Sequence, residues 1–497
     1  MQGVVSRHLS CCATRSLLRC GGAVLVFAFL VLSIFGRPAR AETLEEALAD
    51  AYLINPVLNA ERARLRAIDE QVAVAKSGLR PFISATGDTA FQHLDNDVRI
   101  PSSLRGITTG SEAFAKGTSH PRGWSVQLTQ PLFEGFQNLN AIRQAKATVQ
   151  AAREALRTVE QTVLLDATTA YVNVVRDQAV VRLRENDVSV LTEQLKATKD
   201  RFDVGEVTRT DVAQAEARRS DALATLAFAQ ANLKTSRASY EQIIGHPPGN
   251  LVTPPSILHM LPQTLNDAMT LGDGENPLIL FTVYNEEASL YAVQQIMGEL
   301  LPQVTLEAQY QERFGFLNTP DVPGDPSLEK EATTTVLGRL NVPLYQGGGV
   351  AARVRQAKET NNQLKKEVED ARLRVHADVI ANWGILQSSG PAITSAEAAV
   401  AANKIALTGV REEEKVGQRT TLDVLDAQRE LLNSQIGLVV ALRDRVVAEY
   451  SLYTAVGRMD AQTLGLPVPY YDPIQHYDIV KNKLFGLRPP PPPAPDE

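Results

Sequence analysis

The sequence predicts a mainly α-helical chain built twice from one unit, in which short amphipathic strands lead into helices too long for a single globular core. Three observations carry this reading. The first is internal duplication. Arg143-Gln144-Ala145-Lys146 recurs as Arg355-Gln356-Ala357-Lys358, an offset of 212 that also maps Val204-Gly205 onto Val416-Gly417 and Ile244-Gly245 onto Val456-Gly457. Upstream the offset is 221, which maps Asn55-Pro56 onto Asn276-Pro277 and Pro81 onto Pro302. The difference of nine residues falls in one connection, between Pro81 and Pro131. A repeat of this length is a whole structural unit rather than a solenoid repeat of roughly 20–50 residues. The second observation is a run of 69 residues, 136–204, without Gly or Pro. The third is period-two alternation ahead of each long helix.

Taken in order, residues 1–41 read as a secretory signal, with a short N-terminal anchor as the alternative. Arg7, Arg15 and Arg19 precede an apolar core at 23–35, too short to span a bilayer comfortably, and Ala39-Arg40-Ala41 is a small-x-small cleavage site. All three cysteines, Cys11, Cys12 and Cys20, lie here, so a chain beginning at Glu42 has no thiol chemistry. Removing the five arginines of the signal leaves 45 basic against 57 acidic residues, a net charge of about −12, which argues against nucleic acid. No later apolar run approaches the roughly 18 residues of a membrane helix, so any membrane contact must be by strands.

The clearest strand is at 303–311, where Val304, Leu306, Ala308 and Tyr310 alternate with Gln303, Thr305, Glu307, Gln309 and Gln311. Trp124, Val126 and Leu128 alternate with Ser125, Gln127 and Thr129, and Val336, Gly338 and Leu340 occupy the repeated positions. A weaker strand covers 82–91. The segments joining them, about 92–123 and 312–332, are rich in Gly, Pro, Ser, Thr and Asp and read as loops. Four strands cannot close a membrane barrel, which takes at least about eight. Either the sheet is not in the membrane, or several chains complete one barrel.

A helix over 136–204 would be roughly 100 Å long. Ile142, Ala145, Val149, Ala152, Leu156, Val159 and Val163 step by 3 and 4, the spacing of a coiled-coil seam; Val354, Ala357, Asn361, Leu364, Val368, Ala371 and Val375 repeat it. Gly384, Gly390-Pro391 and Gly409 predict a kink or break near Pro391 in the second long helix. Each long helix should end at Val-Gly, with Gly205 and Gly417 supplying the left-handed residue. The next helix should start at Thr208-x-x-Asp211 and Thr420-x-x-Asp423, both capping-box-like. The expected organisation is a signal at 1–41, a first repeat at 42–245, a Pro-rich linker at 246–264, a second repeat at 265–457, and a C-terminal segment at 458–497 ending in an extended proline run.

Catalytic signatures are missing. Gly347-Gly348-Gly349 lacks the Lys-Ser/Thr of a phosphate loop and reads as a strand-to-helix turn. The seven histidines are scattered without ligand spacing. The chain therefore reads as a non-enzyme without cofactor or metal. Asp423 and Asp426, at i and i+3, can share one helix face. Asp423 is open to a simple capping role, as is Asp211; Asp426 aligns with Gln214 and is not.

Several motifs together resemble the TolC-type outer-membrane channels of efflux and type I secretion, over nearly the whole chain after the signal. They are Leu44-x-x-Ala47-Leu48, Asn55-Pro56, Leu79-Arg80-Pro81, Gln130-Pro131-Leu132-Phe133-Glu134-Gly135 and Pro343-Leu344-Tyr345-Gln346-Gly347-Gly348. The most specific are Arg201-Phe202-Asp203-Val204-Gly205 and the stretch 416–427, with 471–478 near the end. The resemblance implies three chains giving four strands each to a 12-stranded outer-membrane barrel, continued by a periplasmic α-helical coiled-coil barrel that closes at its far end. It implies a gate at Asp423 and Asp426, and a latch from Arg419 to Thr210 and Asp211. It implies hairpin tips at Val204, Gly205, Val416 and Gly417 that meet a periplasmic adaptor, and an inner-membrane transporter of the ABC or RND type. Six carboxylates around a narrow axis would attract cations and resist full ionisation. Glu414 stands where that pattern has a tyrosine, a departure at the latch. The implied function is a trimeric exit duct for small toxic compounds or secreted protein. The alternatives are a coiled-coil surface adhesin or scaffold, which leaves the strands unexplained, and a passive porin, for which the strands are too few.

Overall fold

A computed structural model describes residues 42–95, 116–315 and 330–490. The signal segment and the end of the proline run lie outside these residues. Helices α1 (Leu44–Ile54), α2 (Pro56–Ser77), α3 (Gln137–Asp203) and α4 (Arg209–Ile244) build the first unit. Helices α5 (Leu265–Glu275), α6 (Pro277–Gly298), α7 (Gly349–Lys415) and α8 (Thr421–Ala455) build the second, and α9 (Gln475–Val480) follows. Both ends of α1 and α2 map onto α5 and α6 at the offset of 221, and both ends of α3 map onto α7 at 212. The duplication is thus one of structure as well as sequence.

The repeated Asn-Pro pairs show why these residues recur. Asn55 caps α2 with its side-chain oxygen, accepting from the Val57 amide at 2.9 Å, and Pro56 fits the first helical turn, where no N–H is needed. Its side-chain nitrogen donates to the Ile243 carbonyl in the last turn of α4 at 2.9 Å. Asn276 does the same in the second unit, donating to the Ala455 carbonyl of α8 at 2.9 Å and accepting from Leu278 at 2.9 Å. One residue type therefore starts one helix and anchors the end of another, in both halves.

Strands β1 (Phe82–Thr89), β4 (Arg122–Glu134), β5 (Gln303–Phe314) and β6 (Lys330–Asn341) form an antiparallel sheet in the order β1-β4-β5-β6. The register pairs Val126 with Tyr310 and Leu128 with Ala308 on one face, and Gln127 with Gln309 on the other. That is the apolar and polar division the alternation predicts. Within the stretch 92–123, expected to be loop, β2 (Gln92–Asp95) and β3 (Lys116–Ser119) form a two-stranded ribbon beyond the β1–β4 hairpin. The Gly, Ser and Thr content there concealed a pairing made by backbone bonds.

Each long helix has 67 residues, roughly 100 Å at 1.5 Å per residue. The predicted seam is buried or half-buried throughout: Val149 and Leu156 are enclosed on α3, and Ala371 and Val375 on α7. Asn361, the polar member of the second seam, is buried and donates to the Glu286 carbonyl at 3.1 Å. Helix α7 runs through Pro391 without the expected break. The proline removes the donor to the Gln387 carbonyl, and in the preceding turn the Ser388 and Ser389 hydroxyls donate to the Ile385 and Leu386 carbonyls at 2.9 and 2.7 Å.

The main core lies midway along the long helices. There α1, α5, the linker and the segment after α8 wrap them, enclosing Tyr171, Tyr240, Tyr453, Leu164 and Leu452. Buried Glu449 of α8 pins the linker by accepting from the Ile257 amide at 3.0 Å and the Ser256 hydroxyl at 2.9 Å, with Arg445 as its counter-charge at 3.1 Å. The hairpin tips lie beyond this core.

Candidate functional site at the hairpin tips

The two tips share one backbone design. At the end of α3 the Gly205 amide donates to Phe202 and the Glu206 amide to Arg201, both at 2.9 Å; at the end of α7 Gly417 and Gln418 donate to Glu414 and Glu413 at 3.0 and 2.9 Å. Gly205 and Gly417 take φ of 82° and 75°, where a side chain would be strained. Val204 and Val416, beside them, are exposed. The next helix starts with a complete capping box in each case, Thr208 with Asp211 and Thr420 with Asp423.

Asp423 accepts through Oδ2 from both the Thr420 amide and the Thr420 hydroxyl, each at 2.9 Å. These bonds hold its carboxyl below the usual carboxylate range, as the matching Thr208 bonds do for Asp211. Capping uses one oxygen of Asp423 and leaves the other for a second role. Asp426 is bound differently. Its Oδ1 accepts from Arg218 of α4 at 2.7 Å, with Arg429 at 3.6 Å, and the side chain stays 43% exposed. The pair ties α8 to the neighbouring hairpin of the same chain.

Arg419 donates to Glu413 at 2.9 Å, which pushes its own pKa up. Within one chain Arg419 makes no bond to Thr210 or Asp211, and Asp211 is engaged by Thr208. Glu414, the departure noted in the sequence, accepts from Arg201 Nη1 at 2.5 Å and joins the ends of α3 and α7. Below the tips Leu191, Ala222 and Leu425 pack together. A cleft of about 210 Å³ between α3, α4 and α8 is lined by Asp187, Arg218 and Gln428 among others. Burial pushes the Asp187 carboxyl up.

Sequence reasoning missed Arg201, Arg218, Glu413 and Asp187. A signal for the first three was present. At the offset of 212, Arg201 becomes Glu413, Asp203 becomes Lys415 and Arg218 becomes Glu430. Near the tips the two units carry opposite charges at equivalent positions, so they cannot be interchangeable there. Among the described residues no group of three metal-ligating side chains occurs, and no helix is apolar and long enough to cross a membrane.

Comparison with known proteins accounts for this architecture. A model of the family described as outer membrane efflux protein matches residues 47–246 and 274–458, one block in each unit. The outer membrane efflux protein BepC of Brucella suis biovar 1 is 40% identical over 469 residues, covering 94% of this chain and 97% of BepC. The outer membrane protein TolC of Escherichia coli K12 is 25% identical over 441 residues, covering 88% and 86%. The Campylobacter jejuni CmeC outer membrane channel has the same fold, with a TM-score of 0.72 at 14% identity, covering 88% of this chain and 89% of that one. The chain is a member of the outer membrane efflux protein family.

Proposed function

We propose that three copies of this chain form one exit duct, with the four-stranded sheets completing a barrel in the outer membrane and the long helices a tunnel through the periplasm. The observation that carries the reading is a sheet with both edges open, continued directly by helices of roughly 100 Å. Open edges in lipid leave backbone groups unpaired, so the sheet requires further strands. A helix bundle adhesin has no need of such a sheet, and a passive porin has no need of such helices.

The tunnel narrows where α8 brings Asp423 and Asp426 towards the axis, and their charge selects cations. Arg419 reaches Thr210 and Asp211 of an adjacent copy in the closed state, in competition with Glu413 of its own chain. The exposed tips at Val204, Gly205, Val416 and Gly417 meet a periplasmic adaptor, which couples the duct to an energised inner-membrane transporter. The cargo class is small toxic compounds; the 40% identical relative is named an outer membrane efflux protein. Cells lacking the chain should accumulate a cationic dye and become sensitive to detergents and dyes, with both restored by the wild-type chain. Unchanged accumulation and sensitivity would contradict the efflux reading.

A further inference from the structure

The segment after α8 follows the second unit and climbs α2 towards the sheet. The Tyr471 amide donates to the Tyr52 hydroxyl of α1 at 2.9 Å. Buried His476 of α9 lies 3.0 Å from Asp69 Oδ2 of α2 through its Nδ1. Near the end of α2, Lys76 Nζ donates to Asn482 Oδ1 at 2.7 Å, and beyond it Arg80 Nη1 donates to the Lys483 carbonyl at 3.2 Å. Each later residue of the segment is thus tied further along, and the last tie falls just before β1 begins at Phe82. Beyond that tie come Leu484, Phe485 and Leu487, all exposed, Phe485 by 89%. Gly486 turns the chain at a φ of 112°, and Lys483 Nζ closes the turn by donating to the Arg488 carbonyl at 2.9 Å. Exposed Leu79, Phe82 and Ile83 continue the apolar surface onto the foot of the sheet.

The same place is basic, in a chain whose net charge is −7. Lys76, Arg80, Lys146, Lys481 and Lys483 gather behind the turn. Among the described residues, only Lys481 of these five has a carboxylate partner, Asp478 at 2.6 Å. Burial pushes the Lys76 pKa down, and the charges of Lys146, Lys481 and Arg80 push it further, so these groups are close enough to repel one another. At the offset of 221 Lys76 and Arg80 become Met297 and Leu301. The second unit, which receives no such segment, lacks both cations.

We propose that the turn at 484–488 and the basic cluster behind it form an interfacial anchor that binds anionic phospholipid in the periplasmic leaflet of the outer membrane. The proposal rests on the membrane placement of the sheet given above. Leu484, Phe485 and Leu487 enter the boundary between headgroups and acyl chains, and the cations hold lipid phosphates. An isolated segment of this size binds a membrane only marginally. Here the sheet already holds it at the surface, so the effective lipid concentration is high. Three copies place three such anchors around the duct and fix its tilt against the membrane plane. The position at the foot of the sheet and the unpaired cations select a lipid surface over a second copy of the chain.

Fluorescence quenching tests this in the full chain. Phe485→Trp together with Trp124→Phe and Trp383→Phe leaves one indole, in the turn; Trp383→Phe alone leaves Trp124, on the apolar face of β4, to report on the sheet. Both are reconstituted into vesicles of phosphatidylcholine, with or without phosphatidylglycerol, carrying bromine near the headgroup end of the acyl chains. With phosphatidylglycerol present, the indole at position 485 should lose at least half its emission to brominated lipid. In phosphatidylcholine alone the quenching should be at least twofold weaker. Equal quenching in the two lipids would overturn the role of the cations. An indole quenched by acrylamide from water but not by lipid would overturn the anchor, and one reached by neither would mean that a second copy covers the turn. If Trp124 is quenched by lipid and position 485 is not, only the anchor fails; if Trp124 also escapes, the membrane placement of the sheet fails with it.

Discussion

At the scale of single residues, the site turns on how two carboxylates three positions apart are held. Asp423 is committed through one oxygen to its helix cap, and Asp426 to Arg218 across a helix pair. The Arg218–Asp426 pair is half-exposed, and such pairs contribute about 0–1 kcal/mol to stability. Its removal should therefore leave the fold intact and act on charge. Arg218→Met should leave Asp426 with only the longer Arg429 contact at 3.6 Å, raise the preference for cations roughly twofold in reversal-potential measurements, and leave the melting temperature within about 2 °C, as expected for a pair of that strength. An unchanged reversal potential would show that Asp426 does not face the conducting path. The carboxylate pair was legible because Asp426 has no capping role to explain it. Arg218 was not, because an arginine on an alternately charged helix face looks like any solvated side chain until its partner is known. The reversed signs at repeated positions were the available clue.

At the scale of elements, most boundaries followed from local chemistry. Glycines end the long helices, Thr-x-x-Asp boxes start the following ones, and seam spacing orients them. Two elements departed from expectation for identifiable reasons. The β2–β3 ribbon is made by backbone pairing in a segment of weak strand propensity. Helix α7 continues through Pro391 because one lost bond is outweighed by its packing along α8. The repeated Asn-Pro pairs looked like simple helix starts, and their second bond to a distant helix end appears only in three dimensions. That bond makes them sensitive positions. Asn276→Ala removes a cap and leaves the buried Ala455 carbonyl without its donor, a combined cost of about 2–4 kcal/mol. Asn276→Asp keeps the capping oxygen and should cost less. Denaturant melts of the two variants would check this; equal losses would mean that the tie between helices, not the cap, dominates.

At the scale of the whole molecule, duplication is the organising fact. It was the most legible feature of the sequence, because shared offsets survive where individual residues diverge. The repeat does more than double a unit. It joins the two units through one shared face within the chain, leaving α7 and β6 open on one side and β1 open on the other. The position of the membrane was not legible from alternation alone, since a half-buried strand in water has the same pattern. The helices continuing from the strands, and membership of the efflux family, decide it. Against this symmetric frame the tips are unequal, with opposite charges at the repeated positions Arg201 and Glu413 and at Arg218 and Glu430. The proposed conducting path has its narrowest point at the ring of Asp423 and Asp426. The most direct measurement is single-channel conductance of the purified protein in a planar bilayer, with and without Asp423→Asn together with Asp426→Asn. The expected result is a small cation-selective conductance that loses its selectivity in the double variant. Selectivity unchanged in the double variant, or no channel from protein shown to be folded, would contradict it.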